Sequence, residues 1–102
     1  MTSPLMLINA PIVAGSAATE DAGVATMGGT MAGAAGPVTA ILPPGAEDAS
    51  AAAAAAFAAR GAETQAMLAQ LVAVRGLFAA TMSSSAVAYT AVDGINEAML
   101  AL

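Results

Sequence analysis

After Pro43-Pro44-Gly45 the chain contains no further proline, and that asymmetry constrains the fold more than any other feature. Two adjacent prolines cannot sit inside a helix, and each pushes the residue before it towards extended geometry. Glu47 and Asp48 follow at once, and acidic residues suit a helix's first turn because they face its positive dipole end. From about Ala46 to Val92 the chain is alanine-rich, which predicts one continuous helix on the order of 65–70 Å long. Gly61 and Gly76 each cost such a helix up to about 1 kcal/mol relative to alanine. Either can mark a place where another helix approaches closely.

The spacing of larger residues supports the helix. Phe57, Thr64, Leu71, Phe78 and Ser85 recur every seven residues, with Gly61, Leu68, Arg75, Met82 and Tyr89 on the companion positions. Met67, Val74 and Thr81 widen the apolar face beyond a narrow seam. A stripe of that width suits a helix touching two neighbours rather than one. Phe57, Leu68, Leu71, Phe78 and Met82 are therefore the expected core and partner-facing residues.

Before the break, Val13, Ala17, Val24, Met27 and Met31 permit an amphipathic helix over about 10–36. Several glycines weaken it, and the Gly28-Gly29 pair is the expected kink. Residues 37–45, with Pro43, Pro44 and Gly45, form the expected turn, and 93–102 a short tail that Asp93-Gly94 can set off from the helix. The predicted fold is all-α: an antiparallel two-helix hairpin, with helix 1 at about 10–36 and helix 2 at about 46–92. Two helices alone make a poor globule. Docking against a second helical pair to complete a four-helix bundle is the natural solution.

Composition narrows the chemistry. Hydrophobic residues make up 59% of 102, yet aromatics are 3% and about thirty residues are alanine. Alanine removes little apolar area, so the high mean hydropathy overstates the available burial energy. Cysteine and histidine are absent, which removes disulfides, thiolate chemistry, the commonest general base and the commonest neutral metal ligand. The net charge is −5, with Arg60 and Arg75 the only basic residues, so nucleic acid and anionic membrane surfaces are poor partners. Ser83-Ser84-Ser85 has no base to activate a nucleophile. The adjacent pairs Glu20-Asp21 and Glu47-Asp48 point apart on a helix and match no calcium loop. Neither an enzyme nor a cofactor is expected.

Met1 to Asn9 carries no basic residue and so lacks the start of a secretory signal peptide. Residues 66–92 are long enough to span a bilayer. Arg75 within them would cost roughly 2.5–3.5 kcal/mol to insert, which favours a packed helix over a membrane one. Near the end of that helix, Tyr89 and Asp93 lie four residues apart, about one turn along the same face. Such a pair is a plausible recognition tag.

The run Thr39-Ala-Ile-Leu-Pro43-Pro44-Gly-Ala-Glu47-Asp48-Ala-Ser50, then an alanine tract, Phe57 and the Tyr89…Asp93 ending, resembles the PE domain of mycobacteria. The family's name-giving Pro-Glu dipeptide is replaced, at the nearest match, by Pro11-Ile12. The resemblance covers 1–102 and implies a stand-alone PE domain that pairs with a PPE-family protein in an elongated four-helix bundle. It further implies export by a type VII (ESX) secretion system, with Tyr89 and Asp93 as the Tyr-x-x-x-Asp signal. An EspG-type chaperone would hold the pair soluble in the cytosol through the PPE partner, and the exported protein would reside at the cell surface or be secreted. Two other readings use the same residues: a small membrane-inserted or pore-associated helical protein using 66–92, and a homo-oligomeric helical bundle.

Overall fold

A computed structural model of the chain describes residues 7–102. The expectation about a basic N-terminal region falls partly on residues 1–6, outside the described residues. Two helices follow one another: α1, Ala10–Thr39, and α2, Asp48–Leu100. They pack side by side in an antiparallel hairpin measuring 84 × 29 × 14 Å. Among the described residues there is no strand.

α1 starts at Asn9, whose side-chain Oδ1 accepts the Ile12 N–H at 3.2 Å. Pro11 lies in the first turn, where a missing N–H removes no intrahelical bond. The helix runs through Gly28-Gly29 without interruption. It also passes the expected end at residue 36 and takes in Pro37, closing with the Ala40 N–H on the Gly36 carbonyl at 2.8 Å. The residue before proline normally leaves helical geometry because its Cβ strikes the ring. That residue here is Gly36, which has none.

α2 is longer than expected as well. The expected tail over 93–102 is helical to Leu100, and Gly94 keeps helical geometry with no positive φ. Glycine ends a helix when it turns left-handed. Otherwise it costs propensity alone, while each further residue adds a hydrogen bond to an already nucleated helix.

The seam between the helices repeats every seven residues on both sides. α1 contributes Val13, Ala17, Glu20, Val24, Met27, Met31, Ala34 and Val38, all buried or half-buried. α2 contributes Gly61, Gln65, Leu68, Val72, Arg75, Ala79, Met82 and Ala86, likewise, with Ala54 and Ala58 on the same line beyond the end of α1. Alternating steps of three and four keep such positions facing one partner in a gently supercoiled pair. The residues that are most fully buried are small ones: Ala17, Ala54, Gly61, Ala79 and Ala86. Small side chains let the two backbones approach closely, and at Gly61 the Val38 carbonyl lies directly against the α2 backbone.

Val38 at Gly61 also fixes the connection. α2 begins at Asp48, so its first turns extend about 20 Å past the end of α1. Residues 40–47, with Pro43, Pro44 and Gly45, run back along that distance without helix, leaving Ile41 and Gly45 half-buried. The turn is thus a strap beside α2, and it begins after Thr39 rather than at residue 37.

Candidate functional site

Two features are left without an intramolecular role: one flank of α2, and the part of α2 beyond the start of α1. On the flank, Phe57, Leu71 and Phe78 stand roughly a quarter-turn from the seam and are 68%, 56% and 54% exposed. Met67 and Val74 continue the patch and are also exposed. Leu68 and Met82 instead sit half-buried in the seam. The five residues expected to pack together therefore divide, two facing α1 and three facing solvent.

The opposite flank differs. Ala55, Ala59, Ala62, Ala66, Ala69, Ala73 and Ala80 follow the same alternating steps and present no large side chain. Reading the sequence for large apolar residues missed Ala54, Ala79 and Ala86, whereas Gly61 was expected as a point of close helix approach and is one. The signal that finds the alanines is register: Ala54, Ala79 and Ala86 fall on the three-and-four steps that run through Gly61, Leu68, Arg75 and Met82.

At the far end, α1 stops where α2 continues. Ala10, Pro11 and Ala14 share a groove with Ser83, Ala86 and Thr90. Tyr89 and Asp93 are the next positions in the seam's seven-residue register, just where α1 gives out. Asp93 lines a cleft with Asn9, Ala10, Pro11, Thr90 and Glu97. That cleft sets two carboxylates beside the N-terminal, positive end of α1, whose own first turn holds no acidic residue. Tyr89 is 40% exposed and lines a separate hollow with Ser85, Ala88 and Val92. The pair keeps its helical spacing, but the phenol and the carboxylate open onto different clefts.

Three acidic residues elsewhere have partners within the hairpin. Arg60 pairs with Glu63 at 3.2 Å on the surface. Arg75 Nε donates to Glu20 Oε2 at 2.8 Å across the seam. At the start of α2, the backbone N–H of Glu47 and then the Ser50 hydroxyl hold the Glu47 carboxyl below its ordinary pKa. Among the described residues no cluster of acidic, histidine or cysteine side chains could hold a metal ion.

Comparison with known proteins places this architecture. No solved structure matches the chain. A curated protein of Mycobacterium tuberculosis (strain ATCC 25618 / H37Rv), PE family protein PE13, is 42% identical over 74 residues, covering 72% of this chain and 75% of that protein. The sequence model of the PE family matches residues 7–96, which takes in α1, α2 as far as Asn96 and the whole Tyr89–Asp93 element. The chain belongs to the PE family.

Proposed function

We propose that this chain is a non-enzymatic partner subunit that pairs with a PPE-family protein and is exported by a type VII (ESX) system. The observation that carries the pairing is exposed surface. A compact monomer of 9.7 kDa exposes roughly 5,100 Å², whereas this chain exposes 7489 Å². The excess, about 2,400 Å², is of the size that one side of a large obligate interface covers. Its apolar centre is the Phe57–Leu71–Phe78 flank. A second helical pair laid along that flank completes a four-helix bundle and buries what the hairpin leaves in water.

Tyr89 and Asp93 then act as the export signal, read at the end of the bundle by the secretion machinery. An EspG-type chaperone holds the pair in the cytosol through the PPE subunit, and the mature complex is secreted or retained at the cell surface. Family membership and the position of the two residues past the start of α1 support this reading.

Co-expression with the product of the neighbouring gene, followed by size-exclusion chromatography with light scattering, tests the pairing. A one-to-one complex is expected, with the isolated chain poorly soluble. A cooperative, monodisperse monomer or a stable homo-oligomer would overturn it. For the signal, Tyr89→Ala is expected to abolish export while the complex still forms, and unchanged export would remove the assignment. One observation favours a second reading: α2 is long and apolar enough to cross a membrane. Carbonate extraction separates the two, because an integral helix stays with the membrane pellet.

A further inference from the structure

The seam has a register problem. The seam positions recur every seven residues on both helices and are apolar apart from Glu20, Gln65 and Arg75, so sliding α1 by one repeat still sets apolar residues largely against apolar ones. Two glycines break the degeneracy, one on each helix.

At Gly23 the space that a Cβ would fill is taken by the Arg75 guanidinium. Arg75 is held there by Nε donating to Glu20 Oε2 at 2.8 Å and by a terminal nitrogen donating to Met27 Sδ at 3.2 Å. Among the described residues these are the side-chain hydrogen bonds that join one helix to the other. One repeat to either side of Gly23 stand Ser16 and Thr30, both with the Cβ that the guanidinium would strike. At Gly61 the equivalent space is taken by the Val38 carbonyl. One repeat away stand Ala54 and Leu68. Every other glycine of the two helices has nothing within 4 Å of its Cβ position.

We propose that Gly23 with the Glu20–Arg75 pair, and Gly61 with the Val38 carbonyl, form a two-point register lock. It selects one alignment of α1 on α2 from several related by the seven-residue repeat. A half-exposed ion pair contributes little net stability. Its effect is selective: in a shifted alignment Arg75 loses its notch and faces Val13 or Met27 in place of Glu20. The lock decides where α1 ends along α2, since a slip of one repeat moves that point by about 10 Å. It does so whatever Tyr89 and Asp93 are used for.

The chain has no cysteine, so introduced pairs report alignment directly in the full chain. Ala17→Cys with Met82→Cys reports the observed register, because Val38 against Gly61 sets Ala17 level with Met82. Val24→Cys with Met82→Cys, and Ala10→Cys with Met82→Cys, report slips of one repeat in each direction. Under mild oxidation the first pair is expected to close and the other two to close roughly tenfold less. Adding Arg75→Met places an apolar side chain in an apolar seam, so thermal stability is expected to hold or rise while slipped closure increases severalfold. Gly23→Ala, which evicts the guanidinium, is expected to give the same increase. Slipped closure unchanged in both variants would overturn the lock. Closure of all three pairs at one rate would also overturn it, since the hairpin itself would then have been lost and the contacts would be plain stabilisers.

Discussion

Along the seam α2 presents Gly61, Ala79 and Ala86 to α1 at its most buried points, while a quarter-turn away it presents Phe57, Leu71 and Phe78 to water. An independent hairpin would reverse that arrangement. Fully burying a phenylalanine or leucine is worth about 1.5–3 kcal/mol, and an alanine offers much less area. The most fully buried points of the seam are thus small residues that allow close backbone approach, with Leu68, Val72 and Met82 half-buried between them, while both phenylalanines stay outside. The inner contact sets geometry, and the outer one holds most of the burial energy still to be gained.

The largest effect that tests this contrast comes from filling the seam. Gly61→Leu forces a side chain into the place of the Val38 carbonyl, a backbone group that cannot swing away. Overpacking of that kind costs about 3 kcal/mol or more where no relaxation is available. We expect the pairing of α1 with α2 to be lost, seen as a fall in thermal midpoint and faster amide exchange over Val24 to Val38. Unchanged exchange there would mean that the seam tolerates large residues and that the contrast is incidental.

Truncating the outer flank comes next. Phe78→Ala and Leu71→Ala remove exposed side chains, so the hairpin's helicity is expected to stay as it is. Partner affinity is expected to fall by about 2 kcal/mol for each, or roughly 30-fold in Kd, as for a central interface anchor. Titration calorimetry on the purified pair reads this. A loss of helicity without a loss of affinity would reverse the roles given to the two faces.

Much of the hairpin was legible in the sequence. Pro43-Pro44-Gly45 announced the break, and the proline-free stretch after it announced a long helix. The limits of the helices were less so. Pro37 reads as a stop unless Gly36 is considered with it, and Gly94 reads as a stop although a helical glycine is only mildly unfavourable. The faces were half legible. Phe57, Leu71 and Phe78 stand out by size, but size gives no sign of whether such residues face a partner helix in the same chain or outside it. The α1 side of the seam, Val13, Ala17, Val24, Met27 and Met31, was legible, whereas the alanines on the α2 side are passed over by a search for hydrophobic bulk. Tyr89 and Asp93 were visible as a pair, whereas their opening onto separate clefts depends on where α1 begins.

A smaller effect, of opposite sign, is expected on the bare face of α1. Gly29 and Gly33 have nothing within 4 Å of their Cβ positions, so alanine fits at both. Each replacement is expected to stabilise α1 by about 0.5–1 kcal/mol through helix propensity, raising the midpoint of a thermal melt. Gly23→Ala, on the same helix but against Arg75, is expected not to. Equal gains at all three would show that α1 and α2 are less closely apposed at Gly23 than at Gly61.

The smallest effect separates the two helix starts. α1 is capped by the Asn9 amide, which does not titrate, whereas the Glu47 carboxylate at the start of α2 accepts from its own N–H and from Ser50. Because that carboxyl's pKa is lowered on folding, its contribution is present above the unfolded-state pKa and is lost as pH falls through the folded one. Acidification below the usual carboxylate range should therefore loosen the first turn of α2 and leave that of α1 alone. Amide exchange at Ser50 and Ala51, corrected for intrinsic rates, is expected to rise there relative to Ile12 and Val13. Glu47→Gln should flatten the difference. Should both starts loosen together, the Glu47 carboxylate would not be what distinguishes them.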